Sequence, residues 1–314
     1  MNKTPPQISI ILPTYNGEEY LSYSIQSILN QTYQDWELII VNDCSTDQTP
    51  DIIKKYIEKD NRIKVINNES NQKLPKSLNI GFSQATGKYL TWTSDDNEYY
   101  PDALNKMYHF LENNTDIGMV YANCLVVSKD KKDKYWGDLD ATPENLLKTN
   151  VCGACFLYRK SVAETIGEYN CNLFLAEDHD YWLRIRLQCK IERIPKVLYL
   201  YRKHDKNLST THKKEAFFRD IELIASYKDI YAKAFPSLGL KIQQYITFKE
   251  QLKSKKDVSF DQLFKYFSKK ELYKEIKSFL IVDPSEFYLK LIRKLGGFYW
   301  VKSYLLYFKI KGKL

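Results

Sequence analysis

The first half of the chain alternates short apolar runs with amphipathic stretches. Ile8–Leu12 is an apolar run closed by Pro13 and reads as a buried strand. Leu21, Ile25, Ile28 and Leu29 then recur at helical spacing, one face of an amphipathic helix. Leu38–Val41 is a second buried strand, running into Asn42 and Asp43. Thr49 as cap and Pro50 in the first turn open a helix whose inner face is Ile52, Ile53, Tyr56 and Ile57. Lys64–Ile66 reads as a third strand, 76–86 as a helix ended by Gly87, and Tyr89–Thr93 as a fourth strand. Pro101 opens a further helix with Leu104, Met107, Tyr108 and Leu111 on one face. Ile117–Ser128 and Val151–Tyr158 read as strands. A helix follows Asp178 with Tyr181, Trp182 and Ile185 inward, and Ile191–Tyr201 is an extended stretch interrupted by Pro195.

Alternation of this kind predicts an α/β fold, a parallel sheet with helices on both sides. Ligands bind such sheets beyond the carboxyl ends of the strands. Asp43 and the pair Asp95-Asp96 lie at predicted strand ends, so residues far apart in sequence are expected on one rim.

Length and charge refine this picture. A chain of 314 residues holds one full-sized α/β domain and a smaller appendage. Lys and Arg outnumber Asp and Glu by 22 to 11 from Lys213 to Leu314, but are outnumbered 25 to 28 before it. The division implies a mildly acidic domain, 1–212, and a basic, aromatic-rich helical region, 213–314, with different partners. The start, Met1–Gln7, lacks the cationic and apolar segments of an export signal. No apolar run approaches the roughly 18 residues that cross a bilayer. Cys152 and Cys155 form a lone Cys-x-x-Cys without a second pair at zinc spacing, so free thiols in a reducing cytoplasm are expected.

Four groups of residues offer chemistry. Adjacent carboxylates at Asp95-Asp96 repel unless a cation or hydrogen bonds intervene, and Mg2+ or Mn2+ takes such oxygen ligands together with substrate phosphates; Ser94–Asn97 is also turn chemistry. Asp43, in Val41–Asp47, is a candidate ligand group or a turn and helix cap. Glu177-Asp178 at a helix start reads either as a cap or as a general base aimed at a bound hydroxyl. His204 is structural, or a partner for a diphosphate or metal. Gly-x-Gly-x-x-Gly and Walker-type loops are absent, which removes the dinucleotide and P-loop readings.

These segments together resemble the family 2 glycosyltransferases of the GT-A fold. Ile11–Leu21 is similar to the family's opening signature and Val41–Thr49 to its Val-x-Asp-x-Ser-x-Asp loop. Lys73–Gly81 with Ala85–Tyr89 is similar to the next block, Trp92–Asn97 to the metal motif, Ala176–Arg184 to the Glu-Asp motif, and Tyr201–His204 to the closing one. Two positions depart from the pattern: Thr93 replaces the first carboxylate of Asp-x-Asp, and Leu78 the Arg before Asn79. The resemblance implies a nucleotide pocket of Pro13, Thr14, Tyr15, Glu18, Asp43, Lys73 and Asp95. It also implies a Mn2+ or Mg2+ held by Asp96 and Asp95 with His204 nearby, and Asp178 as catalytic base.

The expected reaction is inverting transfer from a nucleotide-diphosphate sugar, UDP-linked in most members, to a glycan or lipid-linked acceptor in bacterial surface polysaccharide synthesis. A metal-dependent sugar nucleotidyltransferase is the alternative enzyme, although Ile8–Tyr20 holds only Gly17 where such enzymes carry a Gly-rich loop. A catalytically silent nucleotide-sugar-binding protein on the same fold is the third reading. In the tail, Phe217, Ile221, Ile224 and Tyr231 predict a helix near 212–235, ended by Pro236. No acidic residue follows Glu286, while Arg293, Lys294, Lys302, Lys309, Lys311 and Lys313 interleave with Tyr299, Trp300, Tyr304 and Phe308. That composition suits either a helical bundle with a solvated basic face or a peripheral site on the anionic inner face of a membrane. No nucleic-acid module is recognisable.

Overall fold

The computed structural model describes residues 5–132, 134–136, 142–256, 258–259, 263, 267–282 and 286–294. The chain divides into two compact units, Met1–Thr210 and Thr211–Leu314. The first is built on a nine-stranded sheet. Strands β1 (Ile8–Thr14) and β2 (Trp36–Asn42) are buried along their whole length, as continuous apolar runs require. With β3 (Ile63–Asn67) and β4 (Tyr89–Trp92) they form a parallel block in the order β3-β2-β1-β4. Helices α1 (Leu21–Leu29), α2 (Thr49–Ile57) and α3 (Lys73–Ser83) connect the strands of this half, and α4 (Ala103–Asn113) leads out of it.

Beyond β4 the direction changes. The remaining strands are β5 (Glu98–Tyr99), β6 (Ile117–Ser128), β7 (Lys134–Trp136), β8 (Phe156–Arg159) and β9 (Lys190–Lys203). β8 lies antiparallel between β4 and β6, β9 runs parallel to β6, and the short β5 and β7 pair antiparallel with β9 and β6. The sheet is therefore mixed rather than parallel throughout, because apolar periodicity marks a strand without giving its direction. Helices α5 (Lys160–Ile166) and α6 (Glu177–Gln188) follow β8.

Four local expectations are corrected by long-range partners. Thr49 is not the cap of α2: it is the first helical residue, and its buried hydroxyl accepts from Gly17 N–H at 2.9 Å. Helix α3 starts at Lys73 rather than near 76, because the Asp43 carboxylate accepts the N–H groups of Gln72 and Lys73. It ends at Ser83, leaving Thr86 and Gly87 to bond Glu37 and Ser9. Val151–Cys155 is not strand; Gly153, at φ +61, turns the chain into the shorter β8. Pro195 does not break β9, since the register jumps from Ala122↔Ile194 to Asn123↔Val197 and leaves Pro195 in a bulge.

The second unit is helical, with α8 (Lys213–Ala234), α9 (Pro236–Lys253), α10 (Lys269–Val282) and α11 (Glu286–Lys294) following the single turn α7 (Leu208–Thr211). Pro236 stops α8 and also opens α9, where its missing N–H costs nothing. Ile221, Ile224, Ile246, Phe248, Phe279 and Tyr288 are buried, and Tyr288 donates to the carbonyl of Leu252 at 2.9 Å. The basic and aromatic run after Lys294 lies outside the described residues. Among those described, no helix is long and apolar enough to cross a membrane.

The parallel block is tight where α3 crosses it. A Cβ on Gly81 would stand 2.4 Å from Ile11 Cγ2 and 3.1 Å from Val41 Cγ2. Gly81→Ala should therefore cost about 1–3 kcal/mol by overpacking and lower the thermal midpoint by several degrees in a calorimetric melt; an unchanged or raised midpoint would show that this crossing has slack.

Candidate active site

The parallel register brings the ends of β1, β2 and β4 side by side. Asp43 N–H donates to Thr14 O at 2.8 Å and Thr93 N–H to Ile11 O at 2.9 Å. The loops after β1 and β2 are sewn together. Asn16 N–H donates to Ser45 Oγ, Thr46 N–H to Asn16 Oδ1, Glu18 N–H to Asp47 Oδ2, and Gln48 N–H to Glu18 Oε2, at 2.9–3.1 Å. Asn16 and Cys44 each take a left-handed φ to make these turns. Pro13 is buried within β1, opposite Val41, whereas the Tyr15 ring is 50% exposed and open to stacking. Asp43 is buried and accepts from Asn68 Nδ2 at 2.8 Å, Gln72 N–H at 2.7 Å and Lys73 N–H at 2.9 Å. Three of roughly four acceptor positions of this carboxylate are thus taken by the chain itself. Lys73 has φ +65, and its Nζ lies 5.4 Å from the Phe174 ring centroid.

The acidic pair follows β4. Thr14 Oγ1 donates to Asp95 Oδ2 at 2.5 Å. Gly17 is required beside it, because a Cβ there would lie 2.4 Å from that same oxygen. Burial, and then the neighbouring Asp96 carboxylate, push Asp95 up to about 7. Asp96 Oδ2 accepts from His204 Nε2 at 3.0 Å and from Asn207 Nδ2 at 2.8 Å, and Asn207 Oδ1 accepts the His204 N–H at 2.6 Å. Lys206 N–H approaches His204 Nδ1 at 3.3 Å, which assigns the ring proton to Nε2, facing Asp96. Arg202 is buried below, with Nε donating to the Asp96 carbonyl at 3.2 Å, its guanidinium paired with Glu98 and lying 4.8 Å over the Tyr20 ring. Thr93, in place of a carboxylate, points inward and bonds Tyr199 OH at 2.6 Å.

Asp178 stands at the first turn of α6. Its Oδ1 accepts the His179 N–H and its Oδ2 accepts from Asn150 Nδ2, both at 2.7 Å. Glu177 is buried and its Oε2 has no hydrogen-bond partner. Burial, and then Asp178, push Glu177 up to about 8. Helix α6 is set by an aromatic block: Trp182 packs on Phe156 with centroids 4.4 Å apart, and Tyr181 stacks on Tyr169 at 3.9 Å. Trp92, which precedes the acidic pair, donates to Tyr169 OH at 3.1 Å, so the strand bearing one acidic pair and the helix bearing the other share this block. On β9, burial raises the Tyr201 phenol, and the charges of Asp96 and Asp178 add to the rise.

Residues 9–167 match the family described as Glycosyl transferase family 2. An uncharacterized glycosyltransferase of Haemophilus influenzae is 31% identical over 230 residues, which are 67% of this chain and 69% of that protein. The chain belongs to glycosyltransferase family 2. A Bacillus subtilis protein named as a putative teichuronic acid biosynthesis glycosyltransferase, TuaG, is 36% identical over 111 residues, 35% of this chain and 44% of TuaG. Among solved structures, S. aureus TarS 1-349 in complex with UDP-GlcNAc superposes with a TM-score of 0.63 at 19% identity, covering 88% of this chain and 83% of that TarS 1-349 chain. The mannosyltransferase PcManGT of Pyrobaculum calidifontis, in complex with GDP-Man and Mn2+, gives 0.61 at 15% identity, covering 89% and 86%. The mixed sheet with flanking helices is the GT-A fold.

In this family 2 chain Thr14 and His204, which bond Asp95 and Asp96, lie in segments that the sequence marked, whereas other supporting residues were not singled out. Gly17, Asn150, Arg202 and Asn207 each act through a partner at least 28 positions away, apart from Asn207's own link to His204. Only Arg202 and Gly17 lie inside recognised segments. Among the described residues no group of three or more His, Cys, Asp or Glu is arranged to hold a metal by itself. The chemistry still fits a hard cation that shares its shell with a ligand: two adjacent carboxylates, and a buried Asp96 Oδ1 with no hydrogen-bond partner. All six cysteines are free, and burial pushes the Cys152 and Cys155 thiols well up.

Glu177 supplies a pH test. Its carboxyl is raised from 4.5 to about 8, so between those values the folded chain binds the extra proton. Stability then falls as pH rises through that window, and the full cost is present above it. Glu177→Gln should match the wild type near pH ~5 and melt several degrees higher near pH ~9. Coincident melting curves at the higher pH would show that Glu177 ionises without penalty.

Proposed function

We propose that this chain is an inverting, divalent-metal-dependent transferase that moves a sugar from a nucleotide-diphosphate donor, UDP-linked by family expectation, to a hydroxyl of a glycan or lipid-linked acceptor. Surface polysaccharide assembly is the proposed setting, supported by the named role of the TuaG relative. One observation carries the reading. Thr14 ties the ends of β2 and β4 together, accepting the Asp43 N–H and donating to Asp95, and the adjacent Asp96 keeps an oxygen without a hydrogen bond.

In this reading the exposed Tyr15 ring stacks on the base, while Asp43 acts mainly through the 72–73 turn that it holds, leaving little of its carboxylate for a ligand. Thr14 and Glu18 fix the loops of the same pocket, and Lys73 would turn its ammonium from the Phe174 ring toward a phosphate. Asp96, with Asp95, would hold Mn2+ or Mg2+, and the ion when bound supplies Lewis-acid neutralisation of a departing diphosphate. Both His204 nitrogens are engaged in the structure, one by Asp96, so its first task is to orient that carboxylate. Asp178 takes the proton of the acceptor hydroxyl; the oxygen bonds the anomeric carbon as the bond to the diphosphate oxygen breaks, inverting the centre. The basic C-terminal region would keep the enzyme at an anionic cytoplasmic membrane surface, near a lipid-linked acceptor.

Two experiments test the proposal. Asp178→Asn should keep donor affinity in calorimetric titration and lose transfer by roughly 10²–10⁴-fold; wild-type transfer would remove the base assignment. EDTA should stop release of nucleoside diphosphate from a UDP- or GDP-sugar panel, and added Mn2+ or Mg2+ should restore it. Undiminished turnover in EDTA would exclude a metal role for Asp95 and Asp96.

A further inference from the structure

We infer that Asn150 is a positioning residue for transfer: it fixes the orientation of the Asp178 carboxylate and keeps that carboxylate ready to take the acceptor's proton. The inference rests on the reading of Asp178 as base, and concerns a residue outside every motif of the chain but inside the matched span 9–167, whose partner Asp178 lies beyond that span.

The geometry is specific. Asn150 Nδ2 donates to Asp178 Oδ2 at 2.7 Å. The orientation of the carboxamide is set from its other end, where Oδ1 accepts the Gly153 N–H at 3.4 Å, so the amino group must face the carboxylate. Asp178 Oδ1 is tied in turn by the His179 N–H at 2.7 Å. With both oxygens bonded, the carboxylate plane is fixed. The segment carrying Asn150 is itself pinned to α6, since His179 Nε2–H donates to Leu146 O at 2.6 Å and Leu146 and Leu147 are buried. A neutral amide favours the charged carboxylate without cancelling its charge, whereas a guanidinium in its place would make the base weaker. Glu177 adjoins Asp178 on the helix, and the Asp178 charge also acts on Cys152, Tyr169 and Tyr201.

The test follows Asp178 directly in the full-length protein labelled with [carboxyl-13C]aspartate, its signal identified by its loss in Asp178→Asn. The titration midpoint should rise by about one pH unit in Asn150→Ala, and further in the isosteric Asn150→Asp, which sets a second carboxylate against the first. The acid limb of kcat for nucleotide release should move with it, with KM for the nucleotide sugar unchanged. An Asp178 midpoint that stays in place in both variants overturns the inference. Wild-type turnover by Asp178→Asn would instead overturn the base reading, whatever the midpoints do.

Discussion

Several carboxylates at strand and helix ends must be held in place, and the chain does this with hydroxyl, amide, imidazole and backbone donors. Asp43 is gripped by two backbone N–H groups and the Asn68 amide. Asp95 takes the Thr14 hydroxyl, Asp96 the His204 ring and the Asn207 amide, Asp178 the Asn150 amide and a backbone N–H. Hydrogen bonds of this kind fix position and offset desolvation, yet they leave the negative charge for a cation or a proton to meet. A lysine or arginine at any of these places would stabilise the fold more simply and spend the charge. Arg202 illustrates the choice: it is buried beside Asp96, but it donates to the Asp96 carbonyl and pairs its guanidinium with Glu98.

The sheet makes this economy of donors workable. Parallel β1, β2 and β4 end together, so Thr14 can reach both Asp43, through its carbonyl, and Asp95, through its hydroxyl. The antiparallel insertion of β8 then carries the chain to the aromatic block of Phe156, Tyr169, Tyr181 and Trp182, which sets α6 and hence Asp178. Rigid packing is needed here because a base misplaced by about 1 Å can lose two orders of magnitude in rate.

The sequence made the strand ends legible, because continuous apolar runs such as Leu38–Val41 stop abruptly at Asn42 and Asp43. It therefore located the acidic rim before any coordinates. What it concealed was every interaction whose partner is distant. The start of α3 depends on a carboxylate 30 positions upstream, the hydroxyl of Thr49 looks like a cap yet serves Gly17, and nothing around Asn150 announces Asp178. Direction was hidden for the same reason: Phe156–Tyr158 is equally apolar whether its neighbours run with it or against it. The bulge at Pro195 shows a local rule overridden, since a proline that should interrupt a strand is carried by skipping it in the register.

The two acidic pairs use one device. In each, one of two adjacent carboxylates is pushed upward by burial and by its neighbour: Asp95 to about 7 beside Asp96, and Glu177 to about 8 beside Asp178. Each raised group gives up a proton only at some cost, so each pair places one charge where two would repel. Such splitting is how a site keeps a carboxylate in a chosen state near neutral pH. The pairs differ in what would relieve the repulsion. A cation near Asp96 Oδ1, the oxygen without a hydrogen bond, would let Asp95 ionise as well, which couples metal binding to proton release. Glu177, buried and with an oxygen that lacks a hydrogen bond, has no such outlet.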